Sequence, residues 1–184
     1  MRTLLLISLL FLSGCDLFSD NPLSDPAKES IDSSIIGTWT WYEEGDWGFV
    51  HIGTDAAQKQ LKITMVEFKA GGKMDTTEFT GHTTKLASHS FLNLRWTRPE
   101  DMEKGYFFME YRIGTNTLEG AFLATEIFEK AIRAGTLKGE IISQGLARKV
   151  LVHAGQEDLR RFVTQNLASL TTNTFRLKKL SLAK

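Results

Sequence analysis

Ile35–Glu43 reads IIGTWTWYE, Glu44–Asp46 reads EGD, and Trp47–Ile52 reads WGFVHI. The first and third runs are rich in β-branched and aromatic residues, which favour strands. The middle run has the glycine and acidic residues that are common in tight turns. This stretch therefore predicts a β-hairpin at the start of a β-rich domain.

Comparable strand patterns, separated by turn residues, continue along most of the chain. Gly71-Gly72 and Gly114-Thr115-Asn116 are examples of the separating turns. Short strands at nearly even spacing are typical of an antiparallel barrel or sandwich. The predicted strands are Ile35–Glu43, Trp47–Ile52, Gln60–Phe68, Thr76–Thr84, Ser88–Thr97, Tyr106–Ile113, Thr117–Leu123, Ala147–His153 and Thr174–Leu180.

Two segments, Thr125–Ala134 and Gln156–Ser169, have apolar residues three and four positions apart, which predicts two short helices. Tyr106–Ile113 begins with four apolar residues, whereas an antiparallel strand with one face in solvent should alternate. We therefore expect the outer face of that strand to be covered at its apolar end, and the helices are the candidates for this cover.

The tripeptide Gly37-Thr38-Trp39, at the start of the first predicted strand, resembles the opening motif of the lipocalins and the wider calycin group. In that family the tryptophan closes the bottom of a barrel and packs under an arginine from a late strand. The resemblance implies that Gly37, Trp39 and Arg176 close a barrel here. The fold class it implies is mainly β: an antiparallel lipocalin-like barrel of about 8–10 strands over residues 35–184, with the two helices packed on it.

The first residues have the pattern of a secretory signal peptide, with Arg2 before the apolar run Leu4–Leu12. That run is too short to cross a membrane, because a spanning helix needs about 20 apolar residues. Residues 1–14 are therefore predicted to be removed on export.

The residues Leu12-Ser13-Gly14-Cys15 resemble the lipobox of bacterial lipoproteins. The resemblance implies cleavage before Cys15, a diacylglycerol thioether on its sulfur, and acylation of the new amino group, with palmitate as the expected acyl chain. The alternative for Cys15 is an ordinary buried thiol. Lipidation implies a protein of the bacterial cell envelope, facing the periplasm in a Gram-negative cell. In enteric lipoproteins an aspartate such as Asp16 after the cysteine implies retention in the inner membrane.

Residues 15–34 are rich in proline, serine and aspartate, and their apolar residues have no regular period. This composition predicts a flexible acidic tether between the lipid and the domain. Cys15 is the only cysteine of the chain, which excludes an intramolecular disulfide. The domain must therefore be stabilised by its hydrophobic core.

Several function classes have no support in the sequence. The 22 basic and 22 acidic residues give no excess of positive charge for nucleic acid. The four histidines, His51, His82, His89 and His153, form no metal-binding motif, and no cofactor or nucleophile motif is present. We therefore predict no metal, no cofactor and no enzymatic activity. An acid–base role would need Glu67 or Glu110 to be buried beside a histidine in a cleft.

The remaining feature is the aromatic content, Trp39, Trp41, Trp47, Trp96 and twelve phenylalanines. These side chains either fill the core or line a pocket in the barrel mouth. The fold analogy predicts a non-enzymatic binder of a small apolar or amphipathic ligand, with binding residues that the sequence does not identify. The alternative is a protein-interaction module of the cell envelope, an inhibitor or an assembly accessory, which would expose an apolar patch.

Overall fold

The computed structural model describes residues 15–43, 45–55, 57, 59–98, 104–144 and 147–181. These residues form eleven strands, two α-helices and a short 3-10 helix, Ser33–Ile35. Their bounds are β1 Cys15–Ser19, β2 Gly37–Glu43, β3 Asp46–Asp55, β4 Gln60–Phe68, β5 Met74–Leu86, β6 His89–Trp96, β7 Phe107–Ile113, β8 Thr117–Leu123, α1 Thr125–Arg133, β9 Gly139–Gln144, β10 Ala147–Val152, α2 Gln156–Asn166 and β11 Thr171–Lys179.

Eight strands close into a barrel in the order β11-β2-β3-β4-β5-β6-β7-β8. Every neighbouring pair is antiparallel, and β11 closes the ring by pairing with both β8 and β2. The predicted fold class is confirmed: the protein is mainly β, with a closed barrel of eight antiparallel strands and two helices, consistent with a lipocalin-like barrel.

A second layer lies outside the barrel wall. Strands β1, β10 and β9 form a separate sheet in that order, in which β1 runs parallel to β10. The two helices, β9 and β10 are all inserted between barrel strands β8 and β11. The strand predicted at Ala147–His153 therefore belongs to this sheet and not to the barrel, and the sequence patterns did not predict β1 or β9.

The second layer covers apolar side chains on the outer face of the barrel. Phe91, Phe108 and Leu123 point away from the barrel interior and are buried against a core that includes Phe128 and Leu159 of the helices. The expectation that the outer face is covered at the apolar start of Tyr106–Ile113 is confirmed, since Tyr106 and Phe108 pack against this core, whereas Arg112 farther along is exposed. Burial on both sides explains why this strand begins as a continuous apolar run.

The structure departs from the prediction that residues 15–34 form a flexible tether. Leu17 and Leu23 are buried in the outer core, and Leu23 has no exposed surface. The backbone N–H of Leu23 donates to Asn93 Oδ1 at 2.7 Å, and Asn93 Nδ2 donates to Thr84 Oγ1 at 2.8 Å. The folded unit therefore includes residues from 15 onward, because a few well-placed apolar side chains outweigh a polar composition.

Further along, the same segment lies over the outer face of β5. His82 is buried there with its Nε2 3.0 Å from the carbonyl oxygen of Ser24. The hydroxyl groups of Ser24 and Thr84 are also hydrogen-bonded to each other. Burial is the main cause that lowers the pKa of His82 below its usual value, so this histidine is neutral in its contact with the segment.

The interpretation of the amino terminus of the chain stays a prediction. The predicted signal peptide, residues 1–14, lies outside the described residues. Within the described part of the chain, no helix has the length and apolar character needed to cross a membrane.

Replacement of Leu23 by alanine should lower the free energy of unfolding by about 2–5 kcal/mol, because it removes a fully buried side chain from a packed core. Urea denaturation of both proteins measures the change. Leu180→Ala, at a half-exposed leucine, is the matched control and should change stability by less than about 0.5 kcal/mol. Equal, small effects at both positions would mean that the segment is a free tether after all.

Candidate functional site

The barrel encloses a cavity of about 110 Å³. All of its lining side chains are hydrophobic, and the indole N–H of Trp41 is the one conventional hydrogen-bond donor that they carry. The lining residues are Trp41, Val50, Ile52, Ile63, Met65, Phe79, Leu92, Leu94, Phe107, Met109, Leu118, Phe122, Phe175 and Leu177.

Two glycines make room for the cavity. The ring of Trp41 lies against Gly48, and the ring of Phe175 lies against Gly120, so closely that a Cβ atom on either glycine would overlap the ring. Because both rings lie flat against the wall, they line the cavity without filling it. Larger residues at positions 48 and 120 would push these rings toward the barrel axis.

One end of the barrel is closed by the turn that precedes β2. Trp39 is buried across this end, and its indole N–H donates to the carbonyl oxygen of Ile35 at 2.8 Å. Ile35 is itself fully buried, and Gly37 begins β2 beside the side chain of Lys179. The residues of the Gly37-Thr38-Trp39 motif thus lie at the closed end of the barrel.

Arg176 does not take the place that the resemblance implied. It points out of the barrel and forms an ion pair with Glu119 at 2.6 Å. The cation over the Trp39 ring is Lys179, whose Nζ is 5.2 Å from the ring centroid. The reason is that side chains alternate between the two faces of a strand. Phe175 and Leu177 face the barrel interior, so Arg176 faces outward and Lys179 faces inward.

A buried hydroxyl contact also secures the closed end. The hydroxyl of Tyr111 donates to Asp32 Oδ2 at 2.8 Å. Burial and this hydrogen bond raise the pKa of Tyr111, so its hydroxyl keeps its proton. Burial opposes ionisation of Asp32, but hydrogen bonds from Ser34 and Tyr111 outweigh it and lower the pKa of that carboxyl group.

The cavity opens toward the opposite end. Ile52, Ile63 and Leu177, near the closed end, are buried, whereas Trp41 and Phe175, two positions farther from that end, are partly exposed. We call the end away from Trp39 the mouth.

Charged groups lie at the mouth. Glu67, two residues beyond the cavity-lining Met65, and Asp75, its partner across the strands, both form ion pairs with Lys69. These pairs measure 3.3 Å and 2.7 Å. No histidine takes part in this cluster, so Glu67 does not meet the condition set for an acid–base role.

A row of exposed apolar residues crosses the outer surface near the mouth. Tyr42, Trp47, Phe68 and Met74 are direct cross-strand neighbours on β2, β3, β4 and β5. Tyr42 is 76 %, Met74 58 % and Trp47 45 % exposed, and the rings of Trp47 and Phe68 stack at 4.1 Å. We call this surface the aromatic row. Most large apolar side chains that the described residues expose lie in it.

Glu110 meets the condition for an acid–base role only in part. It is 6 % exposed, and Nδ1 of His89 donates to its Oε1 at 2.8 Å. Glu110 also lines a polar cleft outside the barrel, between β7 and β11. His89, however, lies on the far side of Glu110 from that cleft, on β6, and is absent from its lining. The carboxyl group therefore lines the cleft, and the imidazole does not.

The other histidines make separate contacts. His51 Nδ1 lies 2.9 Å from Thr38 Oγ1, and His153 Nδ1 lies 2.8 Å from Asp20 Oδ2. Among the residues that the structure describes, no group of three or more histidine, cysteine, aspartate or glutamate side chains could hold a metal ion.

Comparisons with protein-family models, with curated proteins and with solved structures found no match to this chain. The likeness to a lipocalin-like barrel therefore rests on the observed architecture alone.

Replacement of Lys179 by glutamine should lower the free energy of unfolding by about 0.5–1 kcal/mol, because it removes the cation over Trp39. Arg176→Gln is the matched control and should cost less than about 0.5 kcal/mol, since exposed ion pairs contribute little. Urea denaturation, repeated in a Trp39→Phe background, measures the coupling. A coupling between Trp39 and Arg176 but not Lys179 would contradict this assignment.

Proposed function

We propose that the protein is a lipid-anchored lipoprotein of a bacterial cell envelope whose barrel binds a small apolar or amphipathic molecule without reacting with it. The observation that carries the binding proposal is the cavity of about 110 Å³ with its entirely apolar wall. An empty apolar cavity of similar size, about 150 Å³, stays dry and takes up benzene or xenon. A cavity of this kind therefore favours an apolar guest over water.

The volume favours a slender guest. A cavity of about 110 Å³ suits a small ring or a short stretch of an acyl chain. Met65 and Met109 both line it, and methionine side chains adapt their shape more readily than branched ones. A longer chain would therefore be admitted by rearrangement of these two side chains.

The mouth supports the amphipathic part of the proposal. A charged group on the ligand has no ionic partner among the hydrophobic side chains of the cavity wall, so it stays at the mouth. Lys69, Glu67 and Asp75 offer charges of both signs there. The expected pose has the apolar end of the ligand toward Trp39 and the polar end among these three residues.

The anchor proposal rests on the lipobox resemblance at Cys15. Cys15 is the first residue of β1, next to Arg148 of β10, so an acyl anchor on it would leave the protein at the edge of the small sheet. Two or more acyl chains are needed for a stable anchor, which agrees with the acylation that the lipobox implies. Asp16 favours the inner membrane for this anchor.

The second candidate function, a protein-interaction module, is favoured by the aromatic row. Contiguous exposed apolar residues on a folded domain commonly mark a surface for a partner. Tryptophan and tyrosine are also enriched among the residues that dominate protein interfaces. An inhibitor or assembly accessory would bind its partner through this row and leave the cavity empty.

Native mass spectrometry of the protein, purified gently from its own envelope, tests the two functions against each other. The binder proposal expects an added small mass that is lost on denaturation. A bare polypeptide mass would contradict it, and a bound second protein lost on Trp47→Lys would support the interaction module. Leu180→Lys, at an exposed leucine outside the row, is the control for added charge.

Replacement of Val50 by phenylalanine should reduce the binding of a fluorescent fatty acid by at least about tenfold, because the larger side chain fills the cavity. Val66→Phe makes the same change on β4, on the opposite face of the wall from Met65, and should leave binding unchanged. Titration followed by probe fluorescence measures both. Equal binding by the two variants would place the ligand outside the barrel.

Replacement of Cys15 by alanine should release the protein from the membrane fraction and abolish labelling with radioactive palmitate, since no other cysteine is present. Fractionation of cells expressing each protein is the measurement, and Ser13→Ala is the control. Continued palmitate labelling of the Cys15 variant would rule out the proposed anchor.

A further inference from the structure

The polar cleft on the outer surface has a composition that the proposed function does not explain. Its volume is about 550 Å³, and it lies over the outward faces of β7, β8 and β11. Ala121 is a small residue at its floor, between Glu110 of β7 and Thr174 of β11, which are its cross-strand neighbours. The short side chain of Ala121 creates the depression between two longer neighbours.

Charges of alternating sign form one side of the cleft. Arg112, Glu119 and Arg176 are cross-strand neighbours on the three strands. Arg176 pairs with Glu119 at 2.6 Å, and both arginine side chains are more than 60 % exposed. The guanidinium groups are therefore free to turn toward a ligand at the rim.

The negative charge at the floor is only partly compensated. Glu110 is 6 % exposed, and its Oε1 receives both the hydrogen bond from His89 and the longer contact of 3.4 Å from Arg112. Both contacts fall on Oε1, which leaves Oε2 available to a cation in the cleft.

This arrangement disfavours ions of a single sign. An anion between the two arginines would face Glu119, and a cation beside Glu119 would face both arginines. We propose that the cleft is a binding site for a small zwitterion, a molecule that carries an ammonium group and, a few ångströms away, a phosphate or carboxylate group.

The depth of each group fixes the orientation of the ligand. The ammonium group binds Glu110 Oε2 over Ala121, where water is most excluded and a charge-assisted hydrogen bond is strongest. The anionic group binds Arg112 and Arg176 at the rim, where guanidinium groups match the geometry of phosphate and carboxylate. His89 is a positioning residue that holds Glu110 in place.

The inference does not depend on the anchor or on the cavity, because the cleft lies on the opposite face of the barrel wall. Either a lipid headgroup or a free metabolite could supply the zwitterion. Phosphoethanolamine and lyso-phosphatidylethanolamine share the charged group, so a comparison between them distinguishes these sources.

The test is isothermal titration of the full protein with O-phosphoethanolamine, and with ethylamine and inorganic phosphate as single-sign controls. The zwitterion should bind at millimolar concentration or below, and each control at least about tenfold more weakly, since each makes half of the charged contacts. Tighter binding of lyso-phosphatidylethanolamine would identify a lipid as the source.

Variants locate the site. Glu110→Gln and Ala121→Phe should each weaken phosphoethanolamine at least about tenfold, the first by removing the floor charge and the second by filling the depression. Arg176→Gln should also weaken it, whereas Arg161→Gln, at an exposed arginine paired with Asp158 on α2, should not. Ala121→Phe keeps all the charges, so it separates the cleft from general electrostatics.

Three results would overturn the proposal. One is the absence of a binding curve when the phosphoethanolamine concentration reaches about ten times the expected Kd, which is about 1 mM. Another is equal affinity for inorganic phosphate, which would mean simple attraction to arginine. The third is unchanged affinity in a folded Ala121→Phe variant, which would place the zwitterion elsewhere. Circular dichroism of each variant confirms that it has folded.

Discussion

Around Phe91, Phe108 and Leu123, the barrel wall formed by β6, β7 and β8 is apolar on both faces, and the rest of the structure depends on this constraint. Leu92, Leu94 and Met109 face the cavity, while Phe91 and Phe108 face outward on the same strands. If the outward-facing rings of Phe91 and Phe108 were exposed to water, the free energy gained by burying them, roughly 1.5–3 kcal/mol each, would be lost. The helices, the small sheet and the segment before β2 are the elements that remove this surface from water.

This covering layer also changes how an anchor would act. The layer includes β1, which pairs with β10 from Cys15 onward and buries Leu17 and Phe18, so an anchor on Cys15 would lie directly beside the folded layer. A lipid on Cys15 would therefore hold the small sheet close to the membrane surface. An anchored domain of this kind has restricted orientations, whereas a domain on a flexible tether of about 19 residues would reach roughly 25 Å in any direction.

The sequence predicted the barrel well, because alternation and turn residues are local signals that eight strands repeat. The prediction failed where tertiary contacts determine whether a segment is ordered. Leu17 and Leu23 lie in a segment whose composition is typical of a tether, but both pack against the apolar outer face of the barrel. The error at Arg176 was different in kind. The expectation for Arg176 came from the family resemblance, whereas the alternation of inward-facing Phe175 and Leu177 on β11 points to Lys179.

The cavity could not be predicted, because its volume depends on which small residue faces which large one. Trp41 and Phe175 would each be expected to fill a barrel of eight strands, whose interior is just wide enough for side chains. Gly48 and Gly120 lie opposite those two rings and let them lie flat. Both pairs are direct cross-strand neighbours, so they depend on strand register, which one sequence does not give. Aromatic content alone is therefore a poor guide to whether a barrel is hollow: the same rings line a cavity when glycine faces them and fill the core when it does not.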